Sequence, residues 1–272
     1  MSSEKRRKAR IQGGWNSKHT ENSNQKTKDL NPLWLAKNVD GTQKSKEKFV
    51  FQEVNEPIKP DDIVKTIDKP GVYDISEGPT GLSRIRFFPN FIPKDQSEQL
   101  MESLKFELQW RQGSDIKNGE SYIQPRLTAW YGDLPYSYSG YTLKANTEWN
   151  PHLLKLKAHL EDSTGLVFNS VLGNLYRDGH DSVSWHSDDE PSLGPQPNIA
   201  SLSFGDTRMF EMRKKPIPPN EDYREYVKIP LTAGSLLIME GCVQEDWQHR
   251  IPKEYHDRDA RINLTFRVIL PE

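Results

Sequence analysis

The chain is poor in several things, and each absence excludes something. It has a single cysteine, Cys242, so no disulfide can form within its 272 residues. That usage is expected of a reducing compartment such as the cytosol or nucleus. No run approaches the ~20 consecutive apolar residues of a membrane span, and the N-terminus has no apolar segment of the signal-peptide kind. The expectation is a soluble protein not exported by that route. Apolar residues make up only 34 % of the chain, so part of it is not core. Large excess charge is lacking too, with a net of −2, but the charge is unevenly spread. Residues 1–48 hold 12 Lys and Arg against 5 Asp and Glu, a net of +7; the remainder holds 25 against 34, a net of −9. A basic arm therefore precedes an acidic body. The body is not a strongly electrostatic nucleic-acid binder and would have to rely on stacking, shape and local basic spots.

What is present divides the chain into three. Residues 1–65 are rich in Ser, Asn, Gln, Lys and Glu without helical or strand periodicity, and read as a disordered arm with too little apolar surface to offset chain entropy. The cluster Lys5–Arg10 suits nuclear import or phosphate contact, and Trp15, Trp34, Phe49 and Phe51 suit anchors for a partner. Residues 66–165 form an extension with two short strands (72–75 and 84–88) and a helix over 93–110, capped by Ser97 or Asp95, with Leu100, Leu104 and Leu108 on one face. A hairpin with Asn118-Gly119 at its tip follows, then an aromatic loop and a second helix over 151–162 that starts at Pro151 and ends before Gly165. Residues 166–272 carry repeated short strands at 168–176, 198–204, 207–213, 226–231, 235–240 and 261–270. Strands without intervening helices indicate an antiparallel sandwich or barrel. The fold class is mostly β with flanking helices, a jelly roll.

Two stretches carry the chemistry. In His186-Ser187-Asp188 the two ionisable side chains project the same way on an extended backbone, and His249 lies 61 residues beyond Asp188. Two imidazoles and a carboxylate on one face of a metal leave positions open, the arrangement of non-haem Fe(II) oxygenases. The last strand reads Arg-x-Asn-x-Thr-x-Arg over 261–267, with Ile262, Leu264 and Phe266 on the opposite face. Guanidinium groups grip carboxylates with paired hydrogen bonds. Arg261 and Arg267 stand roughly 20 Å apart along a strand, so they suit the two ends of a dicarboxylate lying along it. Asn174 and Tyr176 form a further same-face pair able to contact that ligand.

Together, His186-Ser187-Asp188, His249, Arg261–Arg267 and Asn174-Leu175-Tyr176 resemble the AlkB family of Fe(II)- and 2-oxoglutarate-dependent dioxygenases. The resemblance runs over about residues 70–270 and implies a double-stranded β-helix core. It implies His186, Asp188 and His249 as metal ligands and catalytic residues. It implies a 2-oxoglutarate site built from Asn174, Leu175, Tyr176, Arg261, Asn263 and Arg267, with Arg261 at the distal carboxylate and Arg267 near the other. O2 is the second co-substrate, and ascorbate the reductant in vitro. The implied reaction is oxidative demethylation of 1-methyladenine and 3-methylcytosine in single-stranded DNA and RNA, releasing formaldehyde, succinate and CO2. A cationic methylated base suits aromatic faces and a carboxylate. The candidates for those contacts are Asp189 for the carboxylate, Tyr136 and Tyr138 (with Ser137 between them) and Trp110 for the walls, and Arg126 as a brace. Residues 117–119 are the candidate strand-selecting flap, and Arg213-Lys214-Lys215 a candidate phosphate contact or a solvated basic edge. The expected partners are single-stranded nucleic acid and, through the arm, a repair or helicase complex; the expected state is a monomer in nucleus and cytoplasm. The rival readings are a 2-oxoglutarate-dependent protein hydroxylase and a non-catalytic recruitment module acting through the arm.

Overall fold

The computed structural model describes residues 59, 61–117, 120–138, 141–219 and 221–271. The basic cluster, the four arm aromatics and the flap tip Asn118-Gly119 lie outside the described residues. The elements run β1 (Ile63–Thr66), β2 (Gly71–Gly78), β3 (Gly81–Phe88), α1 (Lys94–Glu107), β4 (Arg111–Lys117), β5 (Glu120–Gly132), β6 (Tyr136–Tyr138), β7 (Tyr141–Leu143) and α2 (Pro151–Thr164). They continue with β8 (Ser170–Tyr176), β9 (Val183–His186), β10 (Ile199–Gly205), β11 (Arg208–Lys214), β12 (Glu225–Leu231), β13 (Leu236–Gly241), α3 (Val243–Asp246), β14 (Trp247–Ile251) and β15 (Arg261–Arg267).

Two sheets form the body. The larger has the order β2-β3-β13-β10-β15-β8-β5-β4 and the smaller β1-β12-β11-β14-β9. This is the double-stranded β-helix expected from the sequence. Alternation along the strands of the larger sheet builds two cores. Val171, Leu175, Ile262, Leu264 and Phe266 point outward and pack with Leu104 of α1 and Leu153, Leu156 and Leu160 of α2. On the other side, Tyr176, Ile199, Leu237 and Met239 meet Phe210, Met212, Ile229 and Ile251 of the smaller sheet. The whole of β15 is buried on both faces. Its polar stripe therefore faces the inside of the sandwich and not water.

Several expected boundaries move. The arm reading to residue 65 overlaps β1, which pairs parallel with β12 from Ile63↔Glu225 to Thr66↔Lys228. The division at 165 is one of chain and not of sheet, because β3 pairs with β13 and β5 with β8. Neither Ser97 nor Asp95 caps α1: its N-cap is Pro93, without a side-chain cap, and Ser97 is buried in the helix. At α2 the cap is Asn150, whose side chain accepts from the His152 N–H, and Gly165 closes the helix in the left-handed conformation at φ 71°. His186 was expected on extended backbone without a strand bounded there, and the short β14 was not expected. β9 and β14 carry the two histidines.

Candidate functional site

β9 and β14 pair antiparallel with His186 opposite His249, which sets their ring centroids 4.2 Å apart. Asp188 lies just past the end of β9, where its backbone N–H donates to Gln244 Oε1 at 2.9 Å. The ligand atoms of His186, Asp188 and His249 all lie within 4.8 Å of one another. The His186 Nδ1–H donates to the Ser184 carbonyl at 2.8 Å, so its Nε2 is the bare nitrogen, 3.7 Å from Asp188 Oδ1. Phe210 stacks on His249, with centroids 5.1 Å apart. Burial, together with the neighbouring His186, lowers the His249 pKa to about 3; burial also lowers that of His186. Both imidazoles are thus neutral at physiological pH, the form in which a histidine nitrogen can hold a metal. Burial alone would raise the Asp188 pKa, but Arg267 and the two histidines outweigh it and hold the carboxyl well below its usual range.

These groups open into a cavity of about 330 Å³ between the sheets. Its floor is the polar stripe of β15 with β8 and β10: Arg261, Asn263, Thr265, Arg267, Asn174, Tyr176 and Ser201. Hydrogen bonds order this stripe. Asn263 Nδ2 donates to Ser201 Oγ at 2.7 Å, Thr265 Oγ1 to Asn263 Oδ1 at 2.9 Å, and Arg126 Nε to Asn174 Oδ1 at 2.9 Å. The two guanidinium groups are left incomplete. Arg261 Nη2 donates to Ser203 Oγ at 3.0 Å, and Arg267 Nη2 to Asp188 Oδ2 at 2.7 Å. Nε and Nη1 of both arginines have no partner among the described residues, although Arg261 is 1 % and Arg267 4 % exposed. Burial lowers the Arg261 pKa to about 10, with Arg208 pushing the same way, so it stays charged at neutral pH. Buried, charged, unsatisfied donors are costly unless a ligand completes them. An anion with carboxylates fits that requirement, and two imidazoles with a carboxylate fit a divalent metal.

The structure brings together most of the expected site residues and sends others elsewhere. Arg126 and Tyr136 line the cavity. Arg267 is first of all the ion-pair partner of Asp188, which modifies the expectation that it simply meets a ligand carboxylate. Trp110 does not form a wall. It packs against the main core on the helix side of β8, where a Cβ on Gly173 would sit 3.1 Å from its ring, and its Nε1–H donates to the Leu104 carbonyl. Leu175 likewise points into that core and not into the cavity. Asp189 is exposed and pairs with Lys215 at 3.8 Å. Ser137 is exposed, and its hydroxyl meets that of Thr142. The side chain of Tyr138 lies outside the described residues. Arg213 lies over the rings of Trp185 and Tyr223 and donates to Gln248, so it is engaged in the smaller sheet.

Glu190 and Tyr122 are among the lining residues that sequence reasoning missed. Glu190 reaches the cavity where Asp189 does not. The period-two argument that joins His186 to Asp188 continues to Glu190 and could have found it. Tyr122 lines the cavity from β5, on the same face as Arg126 four residues on.

A β sandwich with a His-Asp-His triad and two unsatisfied buried arginines at one cavity defines an oxygenase of the iron and 2-oxo-acid class. The family profile described as "2OG-Fe(II) oxygenase superfamily" matches residues 84–267. The human "Alpha-ketoglutarate-dependent dioxygenase alkB homolog 3" is 49 % identical over 279 residues, covering 99 % of this chain and 97 % of the relative. The Bos taurus protein of the same name is 50 % identical over 281 residues, with the same coverage. The human "DNA oxidative demethylase ALKBH2" is 37 % identical over 184 residues, covering 65 % of this chain and 70 % of the relative. The chain belongs to the AlkB family of 2OG-Fe(II) oxygenases. It is an Fe(II)/2-oxoglutarate-dependent dioxygenase of the AlkB oxidative-demethylase type, with Fe(II), 2-oxoglutarate and O2 as its cofactor and co-substrates.

Proposed function

We propose that the chain removes N-methyl groups from 1-methyladenine and 3-methylcytosine in single-stranded DNA and RNA, as a repair enzyme of nucleus and cytoplasm. In this reading His186 Nε2, an Asp188 carboxylate oxygen and His249 hold the iron. Arg261 takes the distal carboxylate of 2-oxoglutarate, while Arg267, Asn263, Asn174 and Tyr176 complete its surroundings. With these bound, one oxygen atom of O2 ends in succinate and the other on the N-methyl carbon, which then leaves as formaldehyde; the iron supplies the oxidising centre. The protein's own contribution is placement and exclusion of water. Arg267 fixes the carboxylate of Asp188, Ser184 fixes the tautomer of His186, and the β15 stripe aligns the co-substrate.

The observation that carries the substrate reading is Glu190. It is a carboxylate at the cavity wall, beside Tyr136 and near Asp188 and Arg267, where an extruded cationic base would need compensation. Tyr122 and Tyr136 supply aromatic surface there. The relative named as a DNA oxidative demethylase supports nucleic acid as the substrate class. The test is formaldehyde release from matched oligonucleotides with and without 3-methylcytosine, single- and double-stranded, in DNA and RNA. Release confined to methylated strands, and faster from single strands, is expected. Equal release from unmethylated strands contradicts the reading.

A further inference from the structure

The Tyr176 ring has two buried guanidinium groups beside it. Arg261 Cζ lies 5.3 Å from the ring centre and Arg208 Cζ 5.8 Å. Arg261 faces the cavity, whereas Arg208 does not line it. Yet Arg208, at the start of β11, is only 1 % exposed, as deeply buried as Arg261. A long charged side chain is placed there only if its fork is filled.

Its partners are almost all backbone. Nη1 donates to the Asp178 carbonyl at 3.1 Å, and Nη2 to the Asp181 carbonyl at 3.0 Å and to the Pro252 carbonyl. Glu254 Oε1 stands 3.3 Å from Nε. These atoms belong to two loops. One, residues 177–182, leaves β8 directly after Tyr176. The other, residues 252–260, enters β15 directly before Arg261. One guanidinium therefore ties together the two segments from which the co-substrate residues emerge.

The loops are also fitted to each other and to the turn before Arg208. The Glu254 N–H donates to the Gly179 carbonyl at 2.8 Å, and a Cβ on Gly179 would stand 2.5 Å from the Glu254 carbonyl oxygen. Gly205, at φ +83°, leaves room for the Ala260 carbonyl, which a Cβ would approach to 2.3 Å, and the Asp206 N–H donates to that same carbonyl. Two discrete loops pressed together this closely transmit a shift at one end to the other.

We propose that Arg208 is a positioning residue for the distal carboxylate of 2-oxoglutarate. It sets the separation of Tyr176 and Arg261 and adds a second positive charge behind them. The inference rests on the reading that Arg261 takes that carboxylate. Lysine at 208 keeps the charge but cannot reach three carbonyls with a planar fork.

The test is direct binding to the Fe(II)-loaded full chain under nitrogen, by calorimetry, with two probes. 2-Oxoglutarate has the distal carboxylate; 2-oxobutyrate has the same 2-oxo acid head without it. Arg208→Lys is expected to weaken 2-oxoglutarate about tenfold while leaving 2-oxobutyrate within about twofold. Equal losses for both, or no loss for either, overturns the proposal. Arg261→Lys is measured alongside. If it leaves 2-oxoglutarate affinity intact, the reading of Arg261 fails; if it loses affinity while Arg208→Lys does not, only the role of Arg208 fails. Hydrogen exchange on the unaltered Fe(II)-loaded protein gives an answer even if Arg208→Lys does not fold. By linkage, 2-oxoglutarate should slow amide exchange in both 177–182 and 252–260, and 2-oxobutyrate should not. Exchange there that is indifferent to 2-oxoglutarate contradicts the proposal.

Discussion

At the scale of single residues, chemistry follows from what each side chain lacks. Asp188 and Arg267 are both buried, and each is the other's charge partner. Removing one half of such a pair leaves an uncompensated buried charge, a loss of about 3–5 kcal/mol. Arg267→Met should therefore lower the unfolding free energy of the iron-free chain by about 3 kcal/mol in urea titration; a change under about 1 kcal/mol would show that the pair is not holding Asp188. Glu190 and Asp189 make a paired test of substrate recognition. Glu190→Gln should raise the KM for a 3-methylcytosine strand about tenfold, because it removes the carboxylate that faces the cation, whereas Asp189→Asn should stay within about twofold. The reverse ranking would return the role to Asp189. The shared face of His186 and Asp188, and that of Arg261 and Arg267, were legible because spacing on extended backbone fixes them, whereas His249, 61 residues beyond Asp188, was joined to them by the family resemblance and not by spacing. Trp110 was misread because aromatic residues near a site are chemically plausible walls, and only the sheet shows which side of β8 they occupy. Glu190 was overlooked because the residue adjacent to a ligand draws attention before the one that shares its face.

At the scale of elements, the two faces of β15 were legible from strict alternation over 261–267, although the strand was expected to run on to 270 and ends at Arg267. What the alternation does not say is that both faces are covered, since that depends on β9, β11 and β14 closing over the polar stripe. β14 is five residues long, and its inward set, Trp247, His249 and Ile251, mixes an imidazole with apolar groups, which weakens the pattern. β1 was lost in the arm because its four residues are all exposed and its place is set by backbone pairing with a strand more than 150 residues later. That pairing makes a prediction. A chain beginning at residue 59 should keep turnover and melting temperature close to those of the full chain. Removing residues through Ile67, which is 1 % exposed in the core between the sheets, should cost about 2–4 kcal/mol and uncover the edge of β12. Equal thermal stability of the two truncations would mean that β1 contributes nothing. The turn between β10 and β11 gives another. Gly205→Ala meets both a positive φ and the Ala260 carbonyl, so it should destabilise by more than about 1 kcal/mol and raise the KM for 2-oxoglutarate through Arg261. An unchanged KM would separate the turn from the site.

At the scale of the whole molecule, the fold class was legible and the assignment of labour within it was not. Strand count and texture indicate a jelly roll, but β2, β3 and β5 belong to the same sheet as β8 and β15, which carry the polar stripe, so the extension and the core share one framework. Tyr122 and Arg126 stand on a strand hydrogen-bonded to the one that carries Asn174 and Tyr176. The residues proposed for substrate and for co-substrate thereby stand on adjacent strands of one sheet. The acidic body leaves affinity for nucleic acid to local groups, which suits a flipped or single-stranded base better than a duplex backbone.

In the proposed reaction this cavity couples 2-oxoglutarate turnover to removal of a methyl group from a base. The most direct test is the ratio of formaldehyde to succinate released from a single-stranded oligonucleotide carrying 3-methylcytosine, with Fe(II), ascorbate and 2-oxoglutarate, for the full chain beside His186→Ala. The expected result is near-equal release of both products by the full chain and neither by the variant. Succinate without formaldehyde would leave an active oxygenase whose substrate lies elsewhere, and would contradict the account.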